Sequence, residues 1–393
     1  MGRATAGALG LAVAVMVAAP PAAWAADWTV APTLTVGMDN DTNRVLLSPA
    51  IPSRGLLMSL DTHFERDTER LKLMLRPYGQ VERYTDRRLD PTDEEGIEGE
   101  ATWLETERSS FKLHTLLQDA STLYAELLGT GIIHIGQRRR DEEGDGTWSL
   151  QQTERWTLQL GGTYSGSDYH GAGTSTLTDY RQAFATASEN FAYTEQLTFS
   201  LNGSAGDAKT SGAEQATRFE SLGAGFQWQP TERTSIQGSG GASRQTTGNL
   251  TSTTVIGQLS ASYSTQLSTF TLSAQRLMEP SGLGIFTQVN QASFTATRAL
   301  SERLSLGSEA QMYRQSSAFQ SPFISFDYAD RTYYESHLRL SWQQTPTWTL
   351  ALQVEYDRAD NPVSFLFPTG LQAHAWLASL QSVWAPLGAS RSR

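Results

Sequence analysis

Six histidines are the first candidates for chemistry in this chain, because imidazole binds metal ions and exchanges protons near neutral pH. None of them falls in a metal-ligand spacing, and none stands beside a recognisable serine-nucleophile motif. His114 and His337 fall on the polar side of an alternating pattern, which favours a place in a polar lining over catalysis. The sequence therefore predicts no catalytic residue, no metal site and no cofactor. The histidines are His63, His114, His134, His170, His337 and His374.

Two charged segments are candidates for contacts with divalent cations or lipopolysaccharide. One is Asp90-Pro-Thr-Asp-Glu-Glu95, which Glu98 and Glu100 follow, and the other is Arg138-Arg-Arg-Asp-Glu-Glu143. Clustered carboxylates suit hard cations. Both segments are predicted to lie in external loops, where solvated charge is ordinary. The glycine-rich Gly238–Gly241 is a segment of small residues within a strand, because no Lys-Ser/Thr pair or helix start follows it.

A short phrase that begins with Thr or Ser recurs eight times and divides the chain into similar units. Successive phrases start 34 (265 − 231) to 47 (153 − 106) residues apart, which makes an irregular repeat of one hairpin unit. Apolar and polar residues alternate after nearly every phrase, as from Trp348 to Tyr356. A period of two over this length predicts strands with one apolar and one polar face. The phrases start at Thr68, Thr106, Thr153, Thr194, Thr231, Thr265, Ser301 and Thr345.

The connections between these strands fall into two classes, since the phrases are tight turns and the other connections are longer and polar. This asymmetry is typical of bacterial outer-membrane barrels, whose short turns lie in the periplasm. Eight turns join sixteen strands, and 28–38 and 371–384 supply a first and a last strand. The sequence therefore predicts an all-β fold, a transmembrane antiparallel up-and-down β-barrel of about 18 strands (roughly 16–20). The longer connections are predicted at 86–95, 138–146, 204–215 and 315–327.

Two alternatives bear on this fold. Leu116–Arg140 does not fit the repeat and could form an extended loop, an inward plug or an extra hairpin.

A soluble β-sandwich or β-helix would also show strands in which apolar and polar residues alternate. Strands of roughly 10 residues suit a tilted membrane strand, and tryptophans at strand ends suit the aromatic girdles of a membrane barrel. These tryptophans are Trp28, Trp156, Trp228, Trp342, Trp348 and Trp384.

The first 25 residues are predicted to be a signal peptide. Arg3 precedes the apolar run Ala4–Ala19, and Ala23-Trp24-Ala25 matches a cleavage site of the Ala-x-Ala type. No run of about 18 apolar residues follows, so we expect no helical membrane span. The predicted organisation is a signal peptide at 1–25, a barrel at 26–384 and a periplasmic C-terminal tail at 385–393.

The composition and the predicted compartment limit the classes of molecule that this protein is expected to bind. The formal net charge of −11 argues against nucleic-acid binding. The chain has no cysteine, so its stability is expected to come from the strand ladder and burial. The predicted location is the outer membrane of a Gram-negative bacterium, in contact with outer-membrane lipid and lipopolysaccharide.

The polar faces of the predicted strands would line a pore if the apolar faces meet lipid. A barrel of about 16 to 18 strands is wide enough for a water-filled channel. Lys72, Arg76 and Arg339 do not form the basic ladder expected of a pore for polyanionic sugar. A polar lining of mixed sign suits neutral hydroxylated solutes. The predicted pore-lining residues are Lys72, Arg76, Gln159, Gln227, Gln258, Gln275, Glu309, Gln311, Tyr313, Glu335, His337, Arg339, Gln353 and Glu355.

Several short motifs resemble an outer-membrane β-barrel porin family that is found beside exopolysaccharide and exosortase gene clusters. They are Trp28–Asn40, Leu75-Arg-Pro77 followed by Arg83-Tyr84, and Trp148–Arg155 leading to Tyr169. The resemblance runs over most of the chain after residue 25. It implies an 18-stranded outer-membrane barrel that secretes extracellular polysaccharide, partnered by a periplasmic polysaccharide export protein. No catalytic or binding residue carries over from the family.

Three functions are compatible with the sequence. The first is a pore for the export of extracellular polysaccharide, with the polysaccharide as cargo and the periplasmic export protein as partner. The second is a general diffusion porin for small polar solutes, narrowed by an inward loop, for which Leu116–Arg140 is the candidate. The third is an outer-membrane enzyme, which would need a reactive pair at the barrel rim that the sequence does not offer. The sequence favours the export pore.

Overall fold

The computed structural model describes residues 28–44, 46, 50–86, 88–89, 91–125, 136–171, 177–212, 216–281, 286–317, 331–361 and 371–386. The predicted signal peptide at 1–25 and residues 387–393 of the predicted tail lie outside the described residues. Within them, no helix has both the length and the apolar character needed to cross a membrane.

Eighteen strands and one short helix account for nearly all of the described chain. The first nine strands are β1 (Trp28–Asp41), β2 (Ser53–Asp67), β3 (Leu71–Tyr84), β4 (Thr92–Thr106), β5 (Ser109–Ser121), β6 (Gln137–Gln151), β7 (Trp156–Gly171), β8 (Tyr180–Ala192) and β9 (Leu197–Thr210). The other nine are β10 (Thr217–Thr231), β11 (Thr234–Thr247), β12 (Leu250–Ser264), β13 (Ser268–Pro280), β14 (Phe286–Ala299), β15 (Leu304–Ser317), β16 (Arg331–Thr345), β17 (Trp348–Asn361) and β18 (Leu371–Trp384). The helix, α1, is Thr122–Ala125 and follows β5.

The strands form one closed antiparallel barrel. Each strand pairs with its neighbour in sequence, and β18 pairs back with β1 through eight register pairs from Leu34–Trp384 to Asp41–Leu377. Every strand therefore has a paired neighbour on both sides, which is the condition for a sheet to cross hydrocarbon. The predicted up-and-down barrel of about 18 strands is therefore confirmed.

The repeated Thr or Ser phrases are the tight turns, and their hydroxyls explain the recurrence. The Thr153 Oγ1 accepts hydrogen bonds from the backbone N–H groups of Arg155 at 3.3 Å and Trp156 at 3.1 Å. A hydroxyl that bonds the backbone two or three residues ahead stabilises a turn locally. The same bond to the third residue ahead recurs at Thr68, Thr194, Thr265, Ser301 and Thr345.

The register decides which side chains face outward. Partners across an antiparallel pair share a face, and neighbours along a strand alternate. Leu352 is 50% exposed and pairs with Leu340 on β16 and Leu380 on β18. Comparable exposed apolar side chains lie on fifteen of the eighteen strands, all except β6, β8 and β11, so the apolar face of the barrel points outward and the polar face encloses a lumen.

Aromatic residues border this apolar belt. Trp348 and Trp384 are register partners at the end of the barrel that carries the tight turns, and Tyr356 and Trp376 are partners further along the same strands. The rings of the second pair lie 4.8 Å apart. The two girdles are separated by 8 residues (356 − 348) on β17, or about 26 Å at roughly 3.3 Å per residue. Because barrel strands tilt by roughly 35–45°, this distance corresponds to about 20 Å along the membrane normal, close to the height of the apolar band of a membrane barrel.

The strands run further than predicted, so the predicted loops were wrong where they overlap the strands, whereas residues 318–327 of the last predicted loop lie outside the described residues. They contain 13 to 16 residues, so 138–146 lies within β6 and most of 204–215 lies within β9. Thr92–Glu95 begins β4, and Gln315–Ser317 ends β15. Beyond the membrane both faces of a strand meet polar surroundings, so the alternation that marks a strand disappears there although the ladder continues.

The described parts of the ambiguous Leu116–Arg140 stretch are mainly two strand ends. Leu116–Ser121 completes β5, Gln137–Arg140 begins β6, and α1 follows β5. Residues 126–135 lie outside the described part of the chain. The described ends do not form an extra hairpin, since β5 and β6 pair directly with each other.

Candidate functional site

The inner wall of the barrel is the candidate functional site. The register places every predicted pore-lining residue at an inward position, although contact with a solute stays a prediction. Tyr313 is 8% exposed and packs within the wall, whereas Lys72 stands at the turn end, paired with Asp67 at 3.2 Å. The full set is Lys72, Arg76, Gln159, Gln227, Gln258, Gln275, Glu309, Gln311, Tyr313, Glu335, His337, Arg339, Gln353 and Glu355.

One sector of the wall carries a ladder of alternating charge. Asp61, Arg76, Glu98, His114 and Asp145 lie on five consecutive strands, β2 to β6. The Arg76 Nη2 lies 2.7 Å from the Asp61 Oδ2, and its Nη1 lies 3.0 Å from the Glu98 Oε2. The His114 Nε2 lies 3.2 Å from the Glu98 Oε1, and its Nδ1 lies 3.0 Å from the Asp145 Oδ1. Each basic group thus sits between two carboxylates.

A second charged sector occupies β15 to β17. The His337 Nε2 lies 3.6 Å from the Glu309 Oε2, and its Nδ1 lies 3.8 Å from the Glu335 Oε1. The Gln353 side chain donates a hydrogen bond to Glu355 at 3.0 Å. Within the described chain none of these three glutamates forms an ion pair with Lys or Arg. With Asp357 they outnumber the two inward arginines of β16, so the sector carries a net negative charge.

Two groups in these sectors have donors suited to a metal ion. Glu98, Glu100 and His114 form one group, and Glu335, His337 and Glu355 form the other. The candidate ligand atoms of each group lie within 4.8 Å of one another. In the first group Arg76 and Asp145 already engage two of the donors. Spacing along the chain did not reveal either group, because the members lie on neighbouring strands.

The third sector, β7 to β14, is uncharged along almost its whole height. Its described inward positions hold Gln, Asn, Ser, Thr, Gly and a few apolar residues, and Glu279 near the outer end of β13 is the single charged side chain among them. Hydrogen bonds within the sector join Ser204 to Ser221 at 2.6 Å and Gln275 to Gln291 at 2.8 Å. The lumen is therefore divided lengthwise into charged and uncharged walls.

The outer half of the lumen is narrowed by the connection between β1 and β2. Leu46 has a positive φ of 47° and is 4% exposed. It packs against Val289, Tyr313, Tyr333 and Ala359, which lie on the inner faces of β14 to β17. Leu46 thus lies inside the lumen instead of above it.

Arg44 anchors the same connection. Its guanidinium pairs with Asp41 at 3.6 Å and forms an ion pair with Glu82 on the inner face of β3. The Asn43 backbone N–H donates to the Asp41 Oδ1 at 2.7 Å, and its side chain donates to the His374 carbonyl at 3.3 Å. These contacts join β1, β3 and β18 through one short segment.

Two further apolar contacts narrow the outer end. Leu89, in the connection after β3, packs with Leu123 of α1 beside Tyr84. Phe219 on β10 and Phe286 on β14 have ring centroids 4.5 Å apart, although β11 to β13 separate their strands. α1 belongs to the stretch Leu116–Arg140 that was the candidate inward loop, whereas Leu46, which the sequence analysis did not single out, packs on the inner faces of β14 to β17. Leu46 is the centre of the short apolar run Val45-Leu46-Leu47 that follows a polar segment, and this run is the local signal from which burial could have been predicted.

The exterior and interior together determine the location of the chain. An apolar belt bordered by aromatic girdles surrounds a closed barrel whose lumen is polar, and only closed barrels and helices satisfy the backbone within hydrocarbon. The protein is a transmembrane barrel of the outer membrane. Its predicted location is confirmed.

Comparison with known proteins adds a similarity of fold. No protein-family model and no curated protein matches the sequence. Among solved structures, Pseudomonas aeruginosa OccK7 (OpdD) is 14% identical with a TM-score of 0.47, covering 92% of this chain and 99% of that chain. P. aeruginosa OccK2 (OpdF), in complex with glucuronate, is 11% identical with a TM-score of 0.48 and coverages of 92% and 99%. A mutant P. aeruginosa ferric enterobactin receptor (PfeA) is 10% identical with a TM-score of 0.46 and coverages of 92% and 81%.

Proposed function

We propose that this barrel is a pore for small polar solutes and that it favours neutral and cationic solutes over anions. The observation that carries the proposal is the excess of carboxylates over basic groups on the inner wall. The described inward carboxylates are Asp39, Asp41, Asp61, Glu65, Asp67, Glu82, Glu94, Glu98, Glu100, Asp141, Glu143, Asp145, Glu279, Glu309, Glu335, Glu355 and Asp357. The described inward Lys and Arg residues of the strands are Lys72, Arg76, Lys112, Arg139, Arg331 and Arg339.

The electrostatic consequence follows from the sign of this lining. A ring of like charges in a pore lowers the energy of ions of opposite sign and raises the energy of ions of the same sign. Several of the basic groups are also neutralised locally, as Arg76 is by Asp61 and Glu98. The net field in the lumen is therefore negative, which attracts cations and repels anions.

The narrowed outer half supports small solutes over a continuous polymer. Leu46 and the Phe219–Phe286 contact place apolar side chains inside the lumen, and the Leu89–Leu123 contact lies between connections at its outer end. An export pore for polysaccharide would have to pass a chain through this constriction. Export, the periplasmic partner, lipopolysaccharide contact and the absence of an enzymatic role stay predictions from the sequence.

Ion selectivity in a planar lipid bilayer tests the proposal. With a KCl gradient across the membrane, we expect single channels whose reversal potential has the sign of K⁺ preference. The double variant Glu335→Gln/Glu355→Gln should move the reversal potential towards zero, because it removes two inward carboxylates. The matched control, Asp207→Asn/Glu220→Gln, removes two outward carboxylates near the outer ends of β9 and β10 and should leave it unchanged.

Two results would overturn the proposal. Purified, folded barrel that conducts no ions would exclude an open pore. Channels that prefer Cl⁻ would show that the carboxylates do not set the field along the permeation path.

A further inference from the structure

The uncharged sector contains a groove that the ion preference does not explain. The groove has a volume of about 910 Å³ and lies against the inner wall from β7 to β13. Cavities of roughly 300–1,000 Å³ are typical of sites for small ligands. Its polar lining includes Gln159, Asn190, Asn202, Gln227, Gln237 and Gln258, together with serine and threonine hydroxyls.

The amides in this groove form neighbouring pairs. Gln227 and Gln237 are register partners on β10 and β11, and Gln258 and Gln275 are partners on β12 and β13. A side-chain amide both donates and accepts hydrogen bonds, as does the hydroxyl of a serine, a threonine or a sugar. A wall of such groups can therefore match a ligand that carries many hydroxyls in varied orientations.

Two paired glycines form a depression in the inner wall within the groove. Gly223 and Gly241 are register partners at inward positions of β10 and β11. A Cβ on Gly241 would lie 2.2 Å from the Leu222 carbonyl oxygen, so no larger residue fits the observed backbone. Because glycine has no side chain, the backbone is exposed here and a recess forms between the surrounding amides. A flat ring can therefore approach the wall closely.

The placement of charge selects the ligand further. The acidic sectors flank the groove, since β6 pairs with β7 on one side and only β14 separates β13 from β15 on the other. A neutral ligand in the groove loses no ionic hydration, whereas an anionic ligand would meet carboxylates on both sides of it.

We propose that this groove is a binding site for a neutral oligosaccharide, held by the amides of β7 to β13. This inference rests on the proposed pore function and names the solute class that the uncharged sector recognises. The acidic sectors exclude anions, and the groove retains neutral sugar on its way through the lumen.

Block of the ion current by sugar tests this site. Maltohexaose, a neutral linear oligosaccharide, is added to wild-type channels in a planar bilayer, and we expect concentration-dependent interruptions of the K⁺ current. The variant Gln227→Ala/Gln237→Ala should weaken the block about tenfold, the loss expected for two hydrogen bonds to a ligand. An oligogalacturonate of the same length, which carries a carboxylate on each ring, should block less than maltohexaose.

The matched control is Gln343→Ala/Gln381→Ala, which removes two inward amides from β16 and β18, outside the groove. It should leave the block by maltohexaose unchanged. Normal cation-selective conductance without block by maltohexaose would overturn the sugar site and leave the pore function intact. Equal weakening by both variants would overturn the location of the site, and absence of conductance would overturn the pore function and the sugar site with it.

Discussion

The effect of a side chain in this barrel depends on whether it faces the lumen or the lipid. Gln353 and Leu352 are adjacent in β17, yet one borders the carboxylate Glu355 in the lumen and the other is half exposed on the apolar exterior. Leu352 also stands midway between the girdle residues Trp348 and Tyr356, which places it near the centre of the hydrocarbon. Gln353 and Leu352 therefore meet water and lipid, respectively, at the same depth in the membrane.

Arginine substitution separates these two environments. Leu352→Arg should lower the free energy of unfolding by about 2–4 kcal/mol, because it places a charge on the lipid face near the midplane. Gln353→Arg should leave the stability nearly unchanged, since its side chain extends into the lumen beside Glu355. Unfolding in urea from lipid vesicles measures both, and an equal cost for the two variants would contradict the assignment of faces.

At the scale of elements, the tight turns and the outer connections behave differently. A turn such as Thr153–Trp156 is held by its own hydroxyl and depends on nothing distant. Three residues of the segment after β1, Asn43, Arg44 and Leu46, instead depend on contacts with β3, β18 and the inner faces of β14 to β17. Their inward position is a property of the assembled barrel, and it places Leu46 within the outer lumen.

The variant Arg44→Ala tests whether the segment after β1 limits the current through the outer lumen. Removing the guanidinium abolishes its ion pairs with Asp41 and Glu82, so the segment should leave the wall more often and the single-channel conductance should rise. Cation preference should rise as well, because the carboxylates lose a basic partner. Arg70→Ala, in the exposed turn between β2 and β3, is the control and should change neither quantity. Unaltered conductance in Arg44→Ala would show that the segment does not limit the current.

At the scale of the whole molecule, closure of the barrel depends on the pairing of β1 with β18, which forms its seam. These two strands share eight register pairs, whereas β17 and β18 share pairs along their full length from Trp348–Trp384 to Asn361–Leu371. Without β18, the edges of β1 and β17 would present unpaired backbone groups to lipid, at a cost of several kcal/mol for each group.

Truncation tests closure directly. A chain that ends before Leu371 should lose the fast-migrating form that a closed barrel shows on an unboiled SDS gel after refolding in detergent. A chain that ends at Pro386 keeps all eighteen strands and should retain that form. Refolding of purified protein keeps the cellular assembly machinery out of the comparison. A compact, heat-modifiable form of the shorter chain would mean that the seam is dispensable.

The sequence by itself determined the number of strands, the positions of the tight turns and the face of most side chains. These features depend on local physics: period-two alternation on a pleated strand, and hydroxyls that bond the backbone two or three residues ahead. It placed Arg76 and Glu355 on the inner wall for that reason. It misjudged the strand ends, since alternation fades where both faces leave the lipid.

Only the tertiary structure decided which inward residues meet. Arg76 contacts Asp61, 15 residues away, and Glu98, 22 residues away, because the stagger between strands brings these positions side by side. Leu46 reaches the inner faces of β14 to β17 only because closure carries those strands round to meet β1. The division of the lumen into charged and uncharged walls arises in the same way, from strands distant in sequence that become neighbours when the sheet closes on itself.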